Sequence, residues 1–77
     1  MDLYFYTTSQ CHLCELAEAL LVNTPMPKPI PVDVVDIAQS EALVERYGTR
    51  IPVLRRNDTG AELDWPFNRD QLLTFLQ

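Results

Sequence analysis

The chain has 77 residues, which is the length of one domain over 1–77 with a small hydrophobic core. Its 47% hydrophobic content argues against disorder, and a net charge of -5 disfavours a nucleic-acid or anionic-membrane partner. The same charge balance favours a soluble monomer. The first residues show no signal peptide, and no apolar run approaches the roughly 18 residues of a membrane span, so a cytoplasmic location is expected.

The first half of the chain has the pattern strand, helix, strand. Leu3 to Thr7 is a continuous apolar and aromatic run, which is typical of a buried strand. From Cys11 onward the spacing is that of a helix, and Val32 to Ile37 predicts a second strand, paired in parallel with the first through a right-handed crossover. The apolar stripe predicted for the inner face of the helix consists of Leu13, Leu16, Ala17, Leu20 and Leu21.

The segment from Thr24 to Pro31 joins this helix to the second strand. Four prolines at alternate positions forbid a helix and remove donors for strand pairing. The composition therefore predicts a stiff, extended connector of polyproline type.

The second half predicts a short helix, a hairpin and a last helix. Ser40 can cap a helix that runs through Tyr47, and Gly48 follows as a natural C′ residue. The inner face of this helix is predicted to carry Leu43, Val44 and Tyr47. A third strand over 53–55, a turn over 57–60 and a fourth strand through Trp65 follow. Asn68 can cap the last helix, with Gln71 completing a capping box.

Cys11 and Cys14 are the only cysteines of the chain. The N-terminus of a helix carries a partial positive charge that stabilises a thiolate, and Cys11 is placed where this field is strongest. Cys14, one helical turn later, lies on the same side and can reach the Cys11 sulfur. Cys11 is therefore the candidate nucleophile and Cys14 the candidate resolving thiol of a redox pair. A protonated His12 would stabilise the thiolate, whereas Glu15 and Glu18 oppose it.

Other uses of the two cysteines stay open at this point. Tetrahedral zinc needs four ligands, and this stretch offers only Cys11, Cys14 and the adjacent His12, so no metal site within the chain is expected. An iron–sulfur cluster shared between two chains and an inert buried pair are further alternatives. The strand before the cysteines, the helix that starts at them and the following strand favour the redox use.

With these residues, the sequence resembles the glutaredoxins of the thioredoxin superfamily, and in particular the short bacterial glutaredoxin-like proteins. The resemblance covers nearly the whole chain and is carried by LYFYTTSQCHLC at 3–14, VDVVDI at 32–37 and YGTRIPVL at 47–54. It implies an α/β thioredoxin fold of order β-α-β-α-β-β-α, a four-stranded mixed sheet with three helices. The activity that it implies is thiol–disulfide exchange.

The same resemblance implies roles for three residues near the third strand. Pro52 matches the cis-proline that faces the redox cysteines in the superfamily. Ile51 matches the residue whose backbone pairs with an extended substrate. Arg50 is either a partner for a substrate carboxylate or a solvated surface residue.

The chain also departs from the classical glutaredoxin pattern. It has Cys-His-Leu-Cys between 11 and 14, and no basic residue in 7–10 before the first cysteine. The family's Gly-Gly pair and acidic residue, which hold glutathione, are replaced by bulky residues over 64–68, where close backbone approach would be needed. Trp65 in this stretch is either a wall of a substrate groove or hydrophobic packing.

The expected substrate is a disulfide-containing protein or a glutathione mixed disulfide. No bound cofactor is expected, with glutathione or a thioredoxin-type reductase as the possible source of reducing equivalents. Two other functions remain as alternatives, a redox-gated protein-binding module that catalyses nothing and an iron–sulfur carrier.

Overall fold

The computed structural model describes residues 1–26 and 28–77. In chain order its elements are β1 (Leu3–Thr7), α1 (His12–Asn23), β2 (Val32–Asp36), a short 3-10 helix (Ile37–Gln39), α2 (Glu41–Tyr47), β3 (Val53–Arg56), β4 (Glu62–Asp64) and α3 (Arg69–Phe75). The predicted order of strands and helices is therefore confirmed, and only the 3-10 helix was not expected.

The four strands form one mixed sheet in the order β2-β1-β3-β4. β1 and β2 run parallel, with Thr7 opposite Asp36 at their carboxyl ends. β3 is antiparallel to both β1 and β4, with Val53 opposite Asp64. This is the sheet of the predicted thioredoxin fold, and it brings the end of β1, the start of β3 and the end of β4 to one edge.

Alternation along the strands divides the core between the two faces of the sheet. On one face, α1 and α3 cover Phe5 and Leu54, and Leu72 of α3 is fully buried there. On the other face, α2 and the 3-10 helix cover Tyr6 and Val53. The sequence of β1 is a continuous apolar and aromatic run because this strand is covered on both faces.

The inner face of α1 differs from the predicted stripe. Leu13 and Leu16 are 46% and 45% exposed, whereas Cys14 and Ala17 are buried. The small side chains of Cys14 and Ala17 let the helix lie close to the sheet, and this rotates the two leucines toward solvent. The prediction counted the leucines and left Cys14 out of the apolar face.

The ends of α2 show one prediction confirmed and two that were wrong. The Ser40 hydroxyl caps the helix by accepting from the amide of Leu43 across 3.3 Å. Val44, predicted on the inner face, is 46% exposed, whereas Tyr47 of the same helix is buried in the core. Gly48 does not adopt the left-handed conformation expected of a C′ residue (φ -54°). It is small because a Cβ there would collide with the carbonyl oxygen of Val44.

The remaining connections follow the sequence closely. The described residues of the proline-rich connector contain neither helix nor strand, as predicted, and Pro27 lies outside the described residues. Asn68 and Gln71 form the predicted capping box at the start of α3, each backbone amide donating to the other side chain across 2.8 Å. None of the helices in ranges 1–26 and 28–77 is long and apolar enough for a membrane span.

Candidate functional site

The loop between β1 and α1 aims Cys11 at the carboxyl edge of the sheet. Gln10 takes the left-handed backbone conformation, with φ of 59°, which is uncommon for a residue other than glycine. This turn leaves Cys11 in extended conformation as the N-cap of α1. The sequence predicted a helix from Cys11 onward, and α1 begins at His12 with Cys11 as its N-cap.

The two cysteines form a disulfide, with Cα atoms 5.2 Å apart. Cys14 is only 3% exposed, whereas Cys11 is half-buried and reaches the surface. The backbone amide of Cys14 also points at Cys11 Sγ, with a nitrogen–sulfur distance of 3.2 Å. When the pair is reduced, that amide and the helix N-terminus favour negative charge on the Cys11 sulfur.

His12 and Glu15 lie on the exposed side of the first turn of α1. Their side chains are 79% and 77% exposed, and His12 Nδ1 lies 3.7 Å from Glu15 Oε2. This geometry places the His12 imidazole beside the Glu15 carboxylate. Tuning of the thiol by His12 remains a prediction.

Pro52 and Ile51 lie at the start of β3, on the edge of the sheet where Cys11 is found. Pro52 is fully buried, and the Ile51–Pro52 peptide bond is cis. Ile51 packs against both hydrophobic clusters, including the one that Cys11 and Cys14 join. Its backbone amide donates to the carbonyl of Tyr47 across 3.0 Å. A substrate chain that pairs with Ile51 would therefore meet an amide that already has an acceptor.

Arg50 is held by two acidic residues of β4. Its guanidinium donates to both carboxylate oxygens of Asp64 at 2.8 and 2.9 Å and to Glu62 Oε1 at 2.8 Å. The hydrogen bonds from Arg50 lower the pKa of Asp64 below its ordinary range. Burial opposes ionisation of Glu62, but the hydrogen bonds from Tyr47 and Arg50 outweigh it and the pKa of Glu62 is lowered. Recognition of a substrate carboxylate by Arg50 stays a prediction, since its donors are engaged within the chain.

Tyr47 connects this network to the core. Its ring stacks on Tyr6 with centroids 4.2 Å apart, and the guanidinium of Arg50 lies 5.2 Å from the ring centre. Its hydroxyl donates to Glu62. Burial, together with that hydrogen bond, raises the pKa of Tyr47 to about 12. The segment 48–52 is thus connected to α2 through the carbonyl of Tyr47 and to β4 through the side chain of Arg50.

Sequence reasoning missed the acidic partners of Arg50. Glu62 and Asp64 stand two apart in a strand, and this spacing alone would place both carboxylates on one face. What the sequence did not give is that β4 lies beside β3 with this face toward Arg50. Trp65 was considered either as a groove wall or as packing. Its ring is half-buried and packs edge-to-face on Phe67 with centroids 5.1 Å apart, and the Trp65–Pro66 bond is cis.

No metal-binding cluster appears in the described part of the chain. Over 1–26 and 28–77, no three side chains of His, Cys, Asp or Glu converge in a way that could hold an ion.

Comparison with known proteins identifies the family. The model of the glutaredoxin-like domain family (DUF836) matches residues 2–77, so the chain belongs to this family. The fold and the cysteine pair define a glutaredoxin-like protein of the thioredoxin superfamily, as the resemblance implied.

Two solved proteins illustrate the similarity. The X-ray structure of protein XcR50 from X. campestris is 37% identical, with a TM-score of 0.84 over 97% of this chain and 95% of that chain. The NMR structure of Ne2328 from Nitrosomonas europaea is 28% identical, with a TM-score of 0.80 over 99% of this chain and 91% of that chain. Among curated proteins, no significant match to the chain was found.

Proposed function

We propose that this protein is a thiol–disulfide oxidoreductase in which Cys11 is the nucleophile and Cys14 the resolving thiol. The observation that carries the proposal is the unequal burial of the pair. Cys11 reaches the surface and receives the amide of Cys14 on its sulfur, while Cys14 is 3% exposed. A substrate can approach only the first sulfur, and the second is positioned to attack the mixed disulfide from inside.

The exchange has two steps. The Cys11 thiolate attacks one sulfur of the substrate disulfide, forming a mixed disulfide and expelling the other sulfur as a thiolate, which takes up a proton. Cys14 then loses its proton and attacks Cys11, which forms the Cys11–Cys14 disulfide and releases the substrate as a dithiol. The substrate gains two electrons and the cysteine pair loses them. An external thiol reductant, such as glutathione or a protein dithiol, returns the pair to the reduced state.

We propose that the protein acts in the cytoplasm as a monomer and contributes to redox homeostasis. A disulfide formed there is transient, because the thiol pools of that compartment reduce it again. The protein needs no bound cofactor for the exchange itself, since both sulfurs belong to the chain. Pro52 is fully buried, so it acts on the surface that a substrate meets only through the adjacent Ile51, which packs on the cluster of the cysteines.

The test is capture of the mixed disulfide. The reduced Cys14→Ser variant is mixed with an oxidised protein substrate, quenched with acid and analysed by mass spectrometry without reductant. A covalent adduct through Cys11 is expected, and the wild type should instead show its own disulfide and a released dithiol. Cys11→Ser is the matched control and should give no adduct.

Two results would reject the proposal. No adduct with Cys14→Ser, combined with a partner whose affinity follows the oxidation state of the wild type, would indicate a redox-gated binding module. A brown protein with stoichiometric iron after purification without oxygen would indicate an iron–sulfur carrier.

A further inference from the structure

A partly exposed apolar surface lies on the elements that hold the cysteine pair. It consists of the exposed parts of Leu13, Leu16, Ile51 and Trp65, and is called here the cysteine face. Leu13 and Leu16 stand three apart on α1 and therefore lie side by side, with nearly half of each side chain in solvent. Ile51 and Trp65 pack on the same hydrophobic cluster as Cys11. Apolar side chains next to a substrate cysteine would be buried against this face.

The charge at this edge of the sheet is negative. Glu15 follows the cysteine pair and is 77% exposed. Asp36 and Asp64 end β2 and β4, which finish at this edge together with β1, and the Asp64 side chain is 44% exposed while Arg50 donates to both of its carboxylate oxygens. The nearest guanidinium, that of Arg50, is already bound by Asp64 and Glu62.

The remaining lysine and arginine side chains of the described residues are engaged by other groups or lie away from this edge of the sheet. Arg46 lies 3.6 Å from Glu62, and Arg69 donates to the carbonyl of Asn23 at the far end of α1. Arg56 pairs with Leu3 at the other end of β1, with its guanidinium on Asp58 and the C-terminal carbonyls. Arg55 lies within the sheet, opposite Tyr4 of β1 and Glu62 of β4, and its Nε is buried. Lys28 precedes β2 and so lies at the opposite edge as well. The edge of the sheet around the cysteine face thus has carboxylates, and none of the lysines and arginines among the described residues is free there to receive an anion.

Two backbone donors at the start of α3 are already engaged within the chain. Pro66 has no backbone N–H, and the amide of Gln71 already donates to the Asn68 side chain across 2.8 Å. The amide of Asn68 in turn donates to Gln71. The capping box therefore consumes donors that a ligand carboxylate would need.

From this charge distribution we propose, resting on the proposed function, that the substrate of Cys11 is a polypeptide disulfide whose cysteine is flanked by apolar and then basic residues. Leucine-like side chains beside the cysteine cover Leu13 and Leu16. Lysine or arginine further out faces Glu15 and Asp36, whose carboxylates have no arginine or lysine partner among the described residues. Glutathione carries two carboxylates and one ammonium group, so its net charge is negative and this negatively charged surface repels it.

The test compares matched peptides with the full-length reduced protein. Three peptides share a Leu-Cys-Leu core flanked by lysines, serines or glutamates, and each cysteine carries a 2-pyridyl disulfide. Attack by Cys11 on the peptide sulfur releases pyridine-2-thione, which is followed by absorbance, and glutathione with the same leaving group is the fourth substrate. Each rate constant is divided by that for 2-mercaptoethanol, so that the intrinsic reactivity of each disulfide cancels.

The expected order is lysine, serine, glutamate, with glutathione near the glutamate peptide. Steering should separate neighbouring peptides by about threefold at low ionic strength. The separation should vanish in about 1 M sodium chloride, where the Debye length is about 3 Å. Glu15→Gln should reduce the differences in normalised rate constant among the three peptides at low salt. Leu16→Gln should slow all three peptides relative to glutathione.

Equal normalised rates for the three peptides would overturn the proposal, and so would a faster reaction of the glutamate peptide or of glutathione. Either result would leave the proposed exchange activity standing, because pyridine-2-thione would still be released. If no substrate reacts faster with the wild type than with Cys11→Ser, the exchange activity itself fails and this proposal falls with it.

Discussion

The backbone amide of Ile51 donates a hydrogen bond to the carbonyl oxygen of Tyr47 across 3.0 Å. The amide of Arg50 donates to the same carbonyl across 2.8 Å. The end of α2 therefore folds directly onto the segment before Pro52. A substrate that pairs with the Ile51 backbone has the carbonyl oxygen to use, and its second contact has to come from side chains.

This relationship predicts that the Ile51 amide is protected from hydrogen exchange both in the free protein and in a mixed disulfide with a peptide. The measurement is amide exchange by NMR, using the Cys14→Ser variant linked through Cys11 to the lysine-flanked peptide. The Arg50 amide is the internal reference, because it shares the acceptor. Loss of Ile51 protection in the free protein, or a new partner for this amide in the complex, would contradict the prediction.

The unequal burial of the cysteines predicts the order of alkylation. In the reduced protein, iodoacetamide should modify Cys11 at least about tenfold faster than Cys14, because Cys14 is nearly inaccessible and Cys11 has the thiolate-favouring position. Mass spectrometry of quenched samples after digestion reports both sites. Cys14→Ser should keep the fast phase and Cys11→Ser should lose it. Comparable rates at the two sites would show that the assignment of nucleophile and resolving thiol is unsupported.

The corrected face of α1 predicts opposite tolerances at neighbouring positions. Leu16→Gln should change the free energy of unfolding by no more than about 0.5 kcal/mol, since Leu16 is largely in solvent. Ala17→Leu should destabilise by about 1–3 kcal/mol, because the added atoms have no space between helix and sheet. Urea denaturation of the two variants decides between the observed face and the predicted stripe, for which Leu16→Gln would be the costly change.

The hydroxyl of Tyr47 predicts a measurable loss in Tyr47→Phe. A buried hydrogen bond to a charged group contributes about 1.5 kcal/mol or more, and this variant removes the bond to Glu62 while keeping the ring stack on Tyr6. The measurement is the free energy of unfolding at neutral pH. Tyr4→Phe is the matched control, since Tyr4 is half-buried, and it should change stability by less than about 0.5 kcal/mol. Equal effects of the two variants would mean that the Glu62 bond adds nothing.

The pairing of Arg50 with Asp64 predicts a loss of stability in acid. The pKa of Asp64 in the folded protein lies below its ordinary value of 3.8, so the folded state favours the ionised form. The contribution is complete above about pH 4 and is lost as the pH falls through the lowered pKa. Because Asp64 is 44% exposed, we expect less than about 1 kcal/mol.

Urea denaturation between neutral pH and about pH 3 checks this expectation. Asp64→Asn should reduce the acid-dependent part of the stability and lower the stability at neutral pH. Asp70→Asn serves as the control, because Asp70 is exposed and forms no ion pair within the described residues. An unchanged pH profile in Asp64→Asn would show that this ion pair does not stabilise the fold.

Local chemistry allowed much of this molecule to be predicted from its sequence. The change from strand to helix at Cys11, the cap at Ser40 and the capping box of Asn68 each depend on a few consecutive residues, and each was found where expected. Backbone hydrogen bonds and side-chain caps act over three or four positions, so a short window of sequence contains both partners. The order of elements followed from these windows, whereas the thioredoxin fold was implied by the family resemblance.

The tertiary structure alone decided which surfaces meet. The sequence does not say that Cys14 and Ala17 would turn inward and leave Leu13 and Leu16 in solvent, since that choice depends on how closely α1 can approach the sheet. Nor does it say that Arg50, in the turn before β3, would be held by Asp64, fourteen residues away at the end of β4. Such contacts depend on strand order and packing distance, which no local pattern contains, and they determine the charge and shape of the surface around Cys11.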